Sequence, residues 1–221
     1  FESELRNYTQ ASNVVCVNSW TSGAMLMLRW FGVGVGDEVI IPSYTYAATA
    51  MAVLNVGARP VMVDVNDDFT IDPEAIEIAI TTKTKAIIPV DVGGWPADYN
   101  RINEIVASAQ VSKLFKPRGN NQKKLNRILV IADAAHSIGG LYYNESVGRL
   151  TDATVFSFHS VKNITTGEGG AVCINLPKEF DSQSEYKFLK SLSLNGQNKS
   201  AFEKSKSGSW KYDIIDQGLK I

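Results

Sequence analysis

Cysteine and histidine are scarce in this chain of 221 residues, which contains two of each. Cys16 and Cys173 lie far apart within apolar runs, which argues against a disulfide framework and indicates core residues in a reducing compartment. The formal net charge is only −1, so no global positive field attracts nucleic acid or an anionic membrane surface. No apolar run approaches the roughly 20 residues that a transmembrane helix needs. With no secretory leader visible, we expect a cytoplasmic protein.

What the chain does contain is a regular alternation of short apolar runs with helical patterns. Hydrophobic residues make up 44% of the sequence, which is enough for a substantial core. Strands are predicted at the apolar runs 14–17, 38–42, 59–65, 85–92, 128–134, 153–158 and 170–175. Helices are predicted over 22–31, 47–54, 73–80 and 97–109. Continuous apolar strands separated by helices predict an α/β fold, in which helices cover both faces of a mostly parallel sheet.

One segment departs from this alternation. Residues 111–127 contain six basic residues and no acidic one. The simpler interpretation is a solvated insertion between a helix and a strand. The alternative is a binding patch for a phosphorylated ligand or partner, and the sequence leaves both open.

Polar side chains follow several predicted strands at the point where each strand ends. Ligands bind beyond the carboxyl ends of parallel strands, so we expect these residues to converge on one edge of the sheet. Thr21 and Ser22 open the first of these helices, where free backbone N–H groups favour a phosphate but also suit an ordinary N-cap. Asp133 ends an apolar strand, and its carboxylate needs a cation, a cap or a protonated ring nitrogen as a partner. His136 fits a core histidine as well as a ligand contact.

Lys162 lies between two predicted buried strands, in the glycine-rich stretch FSFHSVKNITTGEGG. Most lysines are solvated surface residues, but a partly desolvated lysine can form a Schiff base with a carbonyl. Tyr46 offers a ring that can stack on a planar cofactor. A helix N-terminus for a phosphate, Asp133 for a ring nitrogen and Lys162 for an aldehyde are together the groups that pyridoxal phosphate (PLP) requires. No metal site is predicted.

Several stretches of the chain resemble the DegT/DnrJ/StrS-type aminotransferases, a family of fold-type I PLP enzymes that act on nucleotide-linked ketosugars. The resemblance covers nearly the whole chain. It is carried by NSWTSGAMLML, GDEVIIPSYTYAATAMAVLNVGARPVMVDV, TKTKAIIPVDVGGWPAD, IADAAHSIG, ATVFSFHSVKNITTGEGGAV and YDIIDQGLKI. The combination of the Lys162 stretch with IADAAHSIG is the most specific part of the match.

The resemblance implies a role for each candidate residue. Lys162 looks like the Schiff-base lysine, which then moves the proton between substrate and cofactor carbons, and Asp133 looks like the partner of the pyridine nitrogen. His136 matches a contact on the side of the ring hydroxyl, and Tyr46 matches an aromatic residue that stacks on the ring. The positions that match phosphate-binding positions of the family are Thr21, Ser22 and Ser157.

The resemblance also implies an architecture and an assembly. Residues 1–221 would form a PLP-binding large domain with three αβα layers, as a fragment without the family's smaller C-terminal domain. The family forms homodimers in which the two subunits share each site, so a homodimer is expected. Trp20 departs from the family, which usually has a small residue there, so its indole must point away from the site or reshape it.

The expected function of the parent protein is transfer of an amino group from glutamate to a keto group of a nucleotide-linked sugar. One alternative is a sugar dehydratase of the same fold, although such enzymes replace the lysine, commonly by histidine. Another is a non-catalytic PLP-fold binding domain. A nucleotide-sugar oxidoreductase is disfavoured, because its glycine fingerprint would stand between a first strand and a helix, whereas GVGVGDE follows a helix.

Overall fold

The computed structural model describes residues 1–207 and 210–221. Its strands are β1 (Asn13–Val17), β2 (Glu38–Pro42), β3 (Arg59–Val63), β4 (Thr84–Ile87), β5 (Leu129–Asp133), β6 (Leu141–Tyr142), β7 (Glu145–Ser146), β8 (Ala153–Ser157) and β9 (Gly170–Ile174). Its helices are α1 (Glu2–Thr9), α2 (Trp20–Trp30), α3 (Ala47–Asn55), α4 (Pro73–Ala79), α5 (Tyr99–Ala107), α6 (Ala109–Leu114), α7 (Asn120–Leu125), α8 (Ser182–Ser193) and α9 (Ala201–Ser207). Within these described ranges, every helix is too short or too polar to span a bilayer.

The predicted mostly parallel sheet is confirmed. In the described residues its strand order is β1-β9-β8-β5-β4-β2-β3, and β6 and β7 form a separate small hairpin. The five neighbouring strands β8, β5, β4, β2 and β3 pair in parallel. Strand β9 runs antiparallel to both of its neighbours, β8 and β1. The parallel strands therefore direct their carboxyl ends toward one edge, where ligands bind in sheets of this kind.

Helices cover both faces of this sheet, as predicted. Residues along β9 alternate between two apolar clusters, with Val172 and Ile174 in the larger cluster and Ala171 and Cys173 in the smaller. Since successive side chains of a strand point to opposite faces, the two clusters lie on opposite sides of the sheet at β9. Helices such as α2, α3 and α8 supply the larger cluster, and α1 contributes to the smaller one. The result is the three-layer αβα arrangement.

The predicted strand 85–92 is interrupted by proline. Regular pairing in β4 stops before Pro89, which has no N–H to donate to a neighbouring strand. Contact with β5 continues, because the Pro89 carbonyl accepts from the Asp133 N–H at 2.8 Å and Val90 forms a single parallel bridge with Asp133. The two segments therefore stay side by side up to the point where Asp91 and Asp133 emerge.

The interpretation of residues 111–127 as a solvated insertion is incomplete. The segment contains the end of α6 and all of α7, and Gln122 of α7 is fully buried. The Gln122 Nε2 donates to the carbonyls of Phe31 at 3.0 Å and Gly32 at 3.3 Å, while Asn121 Nδ2 donates to the Trp30 carbonyl at 2.7 Å. These carbonyls belong to the last turn of α2 and its exit, so the segment caps that helix.

The basic residues of 111–127 are partly paired within the protein. Their ion pairs are Arg118 with Asp37, Lys124 with Glu185 and Arg127 with Asp152. The segment also leads into the amino end of β5, which is the edge of the sheet opposite to the candidate site. It therefore contributes no phosphate contact to that site.

Replacing Gln122 with alanine should destabilise the protein. We expect Gln122→Ala to lower the free energy of unfolding by about 1–3 kcal/mol, because buried carbonyl groups lose their donor. Urea unfolding would measure the effect. The neighbouring exposed Lys123→Ala serves as a control and should stay within about 0.5 kcal/mol of the parent. Equal values for the two variants would contradict the capping role.

Candidate functional site

A cavity of about 790 Å³ lies at the carboxyl edge of the parallel strands. This volume falls within the roughly 300–1,000 Å³ that is typical of small-molecule pockets. Six of the seven predicted site residues line the cavity, namely Thr21, Tyr46, Asp133, His136, Ser157 and Lys162. The fold therefore brings these six side chains together at one edge of the sheet, as expected, whereas Ser22 does not line the cavity.

Lys162 is half-buried in the loop between β8 and β9. Its Nζ lies 2.5 Å from Nε2 of His136, which follows β5. Partial burial and the neighbouring Lys162 ammonium lower the pKa of His136. A neutral imidazole can accept a hydrogen bond from the lysine, so the two side chains form a donor–acceptor pair at the cavity wall.

The loop that carries Lys162 is held in a compact shape by its backbone. The Lys162 N–H donates to the His159 carbonyl at 2.9 Å, and the Thr166 N–H donates to the Phe158 carbonyl at 3.0 Å. Gly170 begins β9 where the chain passes close to the start of α2. A Cβ at Gly170 would lie 2.8 Å from the Ser19 carbonyl carbon, so only glycine fits there without displacing the helix.

Asp133 ends β5 at the floor of the cavity, where its exposed fraction is 6%. Its Oδ2 accepts from the Thr49 hydroxyl at 3.0 Å, and its Oδ1 accepts from the Ala135 N–H at 3.3 Å. Burial raises the pKa of Asp133 to about 7, and the negative charge of Asp91 adds to this effect. In the part of the chain that the structure describes, no cation lies within ion-pair distance of Asp133. The carboxylate thus faces a cavity and lacks a salt-bridge partner, which favours a cationic ligand group over a structural ion pair.

The start of α2 forms another wall of the cavity. The helix begins one residue before Thr21, and its N-cap is Ser19, whose side chain accepts from the Ser22 N–H at 3.2 Å. The expectation that Thr21 or Ser22 caps the helix is therefore wrong. The Ser22 hydroxyl donates to Asn18 Oδ1 at 2.6 Å and does not line the cavity, whereas Thr21 does. The helix dipole and the first N–H groups favour an anion at this end.

The remaining predicted residues differ greatly in exposure. Tyr46 stands just before α3 with 82% of its surface exposed, so its ring is available at the cavity mouth. Ser157 ends β8 and is buried, and its hydroxyl accepts from the His159 N–H at 3.4 Å. Trp20 is only 5% exposed and packs in the larger core cluster, although it also borders the cavity. Among the described residues, its Nε1 has no hydrogen-bond partner.

Two polar residues of the cavity were not anticipated from the sequence. Glu168 belongs to the glycine-rich turn after Lys162, and Thr49 lies inside the alanine-rich α3. The Thr49 hydroxyl bonds to Asp133 and lies 2.8 Å from that of Thr45. Thr45 precedes α3, which begins at Ala47, so no helical spacing signalled this pair, and the role of Thr49 is visible only from its contact with Asp133.

A family profile described as the DegT/DnrJ/EryC1/StrS aminotransferase family matches residues 1–115 and 121–211. The chain belongs to this family. It is a family of PLP-dependent enzymes, and the similar solved structures are fold-type I aminotransferases, which confirms the predicted fold class.

Individual members of the family resemble the chain along its whole length. The spore coat polysaccharide biosynthesis protein SpsC of Bacillus subtilis is 36% identical over 223 residues, which cover 100% of this chain and 51% of SpsC. The PLP-form structure of the putative sugar aminotransferase Spr1654 from Streptococcus pneumoniae is 42% identical with a TM-score of 0.91. The match covers 99% of this chain and 53% of the Spr1654 chain. PseC of Helicobacter pylori, an aminotransferase involved in the biosynthesis of pseudoaminic acid, is 28% identical with a TM-score of 0.78, and the match covers 100% of this chain and 52% of PseC. The chain thus spans about half the length of these relatives.

Proposed function

We propose that the chain is the cofactor-binding large domain of a PLP-dependent sugar aminotransferase. The full-length protein would transfer the amino group of glutamate to the keto group of a nucleotide-linked sugar. The observation that carries this proposal is that Lys162 and the buried carboxylate of Asp133 line one cavity, beside the N-terminus of α2. These are an amine, an acid and an anion site, which PLP requires together.

The residues of the cavity fit the chemical groups of PLP. Thr21 and the first turn of α2, with Ser157, would hold the phosphate, and Tyr46 would cover the ring. Lys162 would bind the aldehyde, and His136 would contact the side of the ring hydroxyl. Asp133 would face the ring nitrogen, and its lack of an ion-pair partner within the described residues is the specific feature that favours a cationic nitrogen there.

These residues would divide the chemistry between them. When bound, PLP supplies an electron-withdrawing ring conjugated to the reacting carbon. A cationic ring nitrogen beside Asp133 would lower the pKa of this carboxyl from about 7, so that the acid stays ionised and retains the proton on the nitrogen. Lys162, once its amine is free, would take a proton from the substrate carbon and deliver it to the reacting carbon of the cofactor, with the imidazole of His136 2.5 Å from its Nζ as a hydrogen-bond partner.

The choice of substrates rests on the family. Spr1654 is described as a putative sugar aminotransferase, and SpsC as a protein of spore coat polysaccharide biosynthesis. We extend a sugar substrate to this chain on that basis. The nucleotide link and glutamate as the donor follow from the resemblance of the motifs around Lys162 and Asp133. We also propose a cytoplasmic location, because Cys16 and Cys173 are free thiols, as a reducing compartment would keep them.

The cavity mouth supports a homodimer. Tyr44, Tyr46 and Val161 line the cavity and expose large apolar side chains around its opening. Exposed apolar surface that borders a site is typical of a surface covered by another protein. We propose that a second copy of the protein covers this opening, and we propose no nucleic-acid or membrane partner.

Two alternatives remain distinct from this proposal. A sugar dehydratase of the same fold is disfavoured, because Lys162 is present where those enzymes commonly have histidine. A non-catalytic PLP-binding domain would bind the cofactor through the same cavity but would not exchange an amino group. Only the response to an amino donor separates this second alternative from an aminotransferase.

The absorption spectrum of the full-length protein tests the proposed function. We expect added PLP to give a visible band, glutamate to convert that band to one at shorter wavelength, and a nucleotide-linked 4-ketosugar to restore it. Mass spectrometry should then find that the sugar has gained an amine and that glutamate has become 2-oxoglutarate. Adding 2-oxoglutarate instead of glutamate is the control and should leave the band unchanged. A visible band that stays unchanged after every amino donor is added would favour the non-catalytic domain.

A further inference from the structure

Asp91 is a second buried carboxylate beside the candidate site. It follows β4, its exposed fraction is 2%, and it borders the cavity. Its backbone N–H donates to the Asp133 carbonyl at 3.0 Å, so the two aspartates leave neighbouring strands at almost the same level. Burying a carboxylate costs free energy unless the group is hydrogen-bonded, so the hydrogen-bond partners of Asp91 indicate its role.

The partners of Asp91 come from two different loops. Its Oδ1 accepts from the Tyr99 hydroxyl and from the Ala97 N–H, both at the entry to α5. Its Oδ2 accepts from the Ser137 hydroxyl at 2.5 Å. Ser137 directly follows His136, so one carboxylate joins the loop before α5 to the turn that carries His136.

The two loops also touch through their backbones. Gly94, three residues after Asp91, has a φ of +89°, and a Cβ there would lie 2.9 Å from the His136 carbonyl oxygen. The Asp133–Ser137 turn is itself closed by a bond from the Ser137 N–H to the Ala134 carbonyl at 3.1 Å. The turn is therefore held against the loop before α5, and its carboxylate anchor is Asp91, which itself borders the cavity.

We infer that Asp91 is a positioning residue, which orients the Asp133–Ser137 turn through Ser137 and Tyr99 and sets a second negative charge behind Asp133. This inference rests on the proposed function for its meaning, because the turn carries the groups proposed to face the cofactor ring. Asp91 itself is not proposed to contact the reacting atoms.

The negative charge of Asp91 is one of several influences on the pKa of Asp133. Burial raises the pKa of Asp91 to about 6 and that of Asp133 to about 7, and the Asp91 charge adds to the shift of Asp133 while the Lys162 ammonium opposes it. The side chains that act on Asp133 from the packed elements are Thr49 of α3, Asp91 after β4, Tyr99 of α5 and Lys162 after β8. A nearby like charge raises the proton affinity of a site, so removing Asp91 should lower it.

Asp91→Asn separates the charge of this residue from its hydrogen bonds. The introduced amide keeps an oxygen for Tyr99 and Ala97, and its NH₂ can donate to Ser137, whose hydroxyl can turn to accept. We expect Asp91→Asn to bind PLP within about threefold of the parent, while carboxyl-labelled NMR of the cofactor-free protein shows Asp133 titrating about half a unit to one unit lower. Asp91→Ala, which leaves two buried hydroxyls unpaired, should weaken PLP binding about tenfold or more.

Asp98→Asn is the matched control for these variants. Asp98 caps α5 from the same loop but is exposed and does not line the cavity. This variant should change neither PLP affinity nor the Asp133 titration. Ser137→Ala provides a milder test of the link, because it removes one of the bonds to Asp91, and it should weaken PLP binding less than Asp91→Ala does.

The outcomes distinguish this inference from the proposed function. If Asp91→Asn leaves the Asp133 titration unchanged, or if Asp91→Ala and Ser137→Ala bind PLP as the parent does, Asp91 is a structural residue only and the inference is wrong. If the parent protein itself binds no PLP, the proposed function fails. The Asp133 titration in the cofactor-free protein would still decide whether Asp91 acts on this turn.

Discussion

Lys162→Ala is expected to abolish the visible band that PLP gives in the full-length protein, because the proposed attachment of its aldehyde to a protein amine is lost. Amino transfer should fall by at least about 10²–10⁴-fold, the usual contribution of a positioned acid–base group. The noncovalent contacts proposed for the phosphate and the ring remain in this variant. PLP should therefore still bind, with the spectrum of the free aldehyde.

Two further variants make the Lys162 result specific. Lys162→Arg keeps a positive charge near His136 but offers no nucleophilic amine at neutral pH, so it should lose the visible band as Lys162→Ala does. Lys187→Ala removes an exposed lysine of α8 and should leave the band and the activity unchanged. A visible band of normal intensity in Lys162→Ala would assign the reactive amine to another lysine.

Asp133→Asn is the second variant with a large expected effect. An amide in place of the carboxylate cannot balance a charged ring nitrogen, and breaking a buried charge pair costs about 3–5 kcal/mol, which corresponds to about 10²–10³-fold or more in PLP affinity. Titration of the cofactor-free protein with PLP, followed by fluorescence, would measure this change. Thr49→Val removes a hydrogen bond to the same carboxylate without removing its charge and should weaken binding far less.

Asp133→Asn should also stabilise the cofactor-free protein in alkaline solution. The pKa of Asp133 is about 7 in the folded chain, above the value of about 3.9 in an unfolded chain, so the folded state holds the proton more tightly. Stability is therefore lost as the pH rises from about 4 through about 7, and the deficit is complete above that range. An amide side chain does not titrate, so Asp133→Asn should be more stable than the parent by roughly 2–4 kcal/mol near pH 8.5 and by much less near pH 4.

Urea unfolding of the cofactor-free protein at these two pH values would measure the difference. Asp98→Asn, at an exposed carboxylate, controls for the change in net charge. If Asp133→Asn gives the same stability difference from the parent at both pH values, Asp133 is not an unpaired buried acid. Loss of affinity together with a gain in stability is the combination expected for a residue that is retained for binding rather than for folding.

The fold was largely predictable because its strands are short apolar runs with clear ends. The predicted strand 38–42 coincides with β2, and most others agree within one or two residues. Beyond residue 175 the polar sequence shows no strand pattern, and α8 and α9 were not predicted. Helices α6 and α7 were also missed. For α7 the reason is that Gln122, which fixes it to the end of α2, is a polar residue whose burial depends on distant carbonyls.

The site was predictable in its composition but not in its contacts. Strand ends and the family motifs led to Lys162, Asp133 and His136, and all three line the cavity. Ser22 does not line the cavity, and the N-cap of α2 is Ser19, because two nearby serines offer the same local signal for a cap. Thr49 was missed since its importance comes from Asp133, 84 positions away along the chain.

The sequence alone determined which segments become the strands of the seven-stranded sheet, that helices cover both faces of this sheet, and which residue types stand at the strand ends. These features depend on local periodicity and composition, which are properties of neighbouring residues. Only the tertiary structure decided that β4, β5 and β8 lie near one another, which brings the Lys162 amine to His136 and joins Asp91 to the turn after Asp133. Strand order is set by how distant apolar surfaces pack together, and no local pattern specifies it.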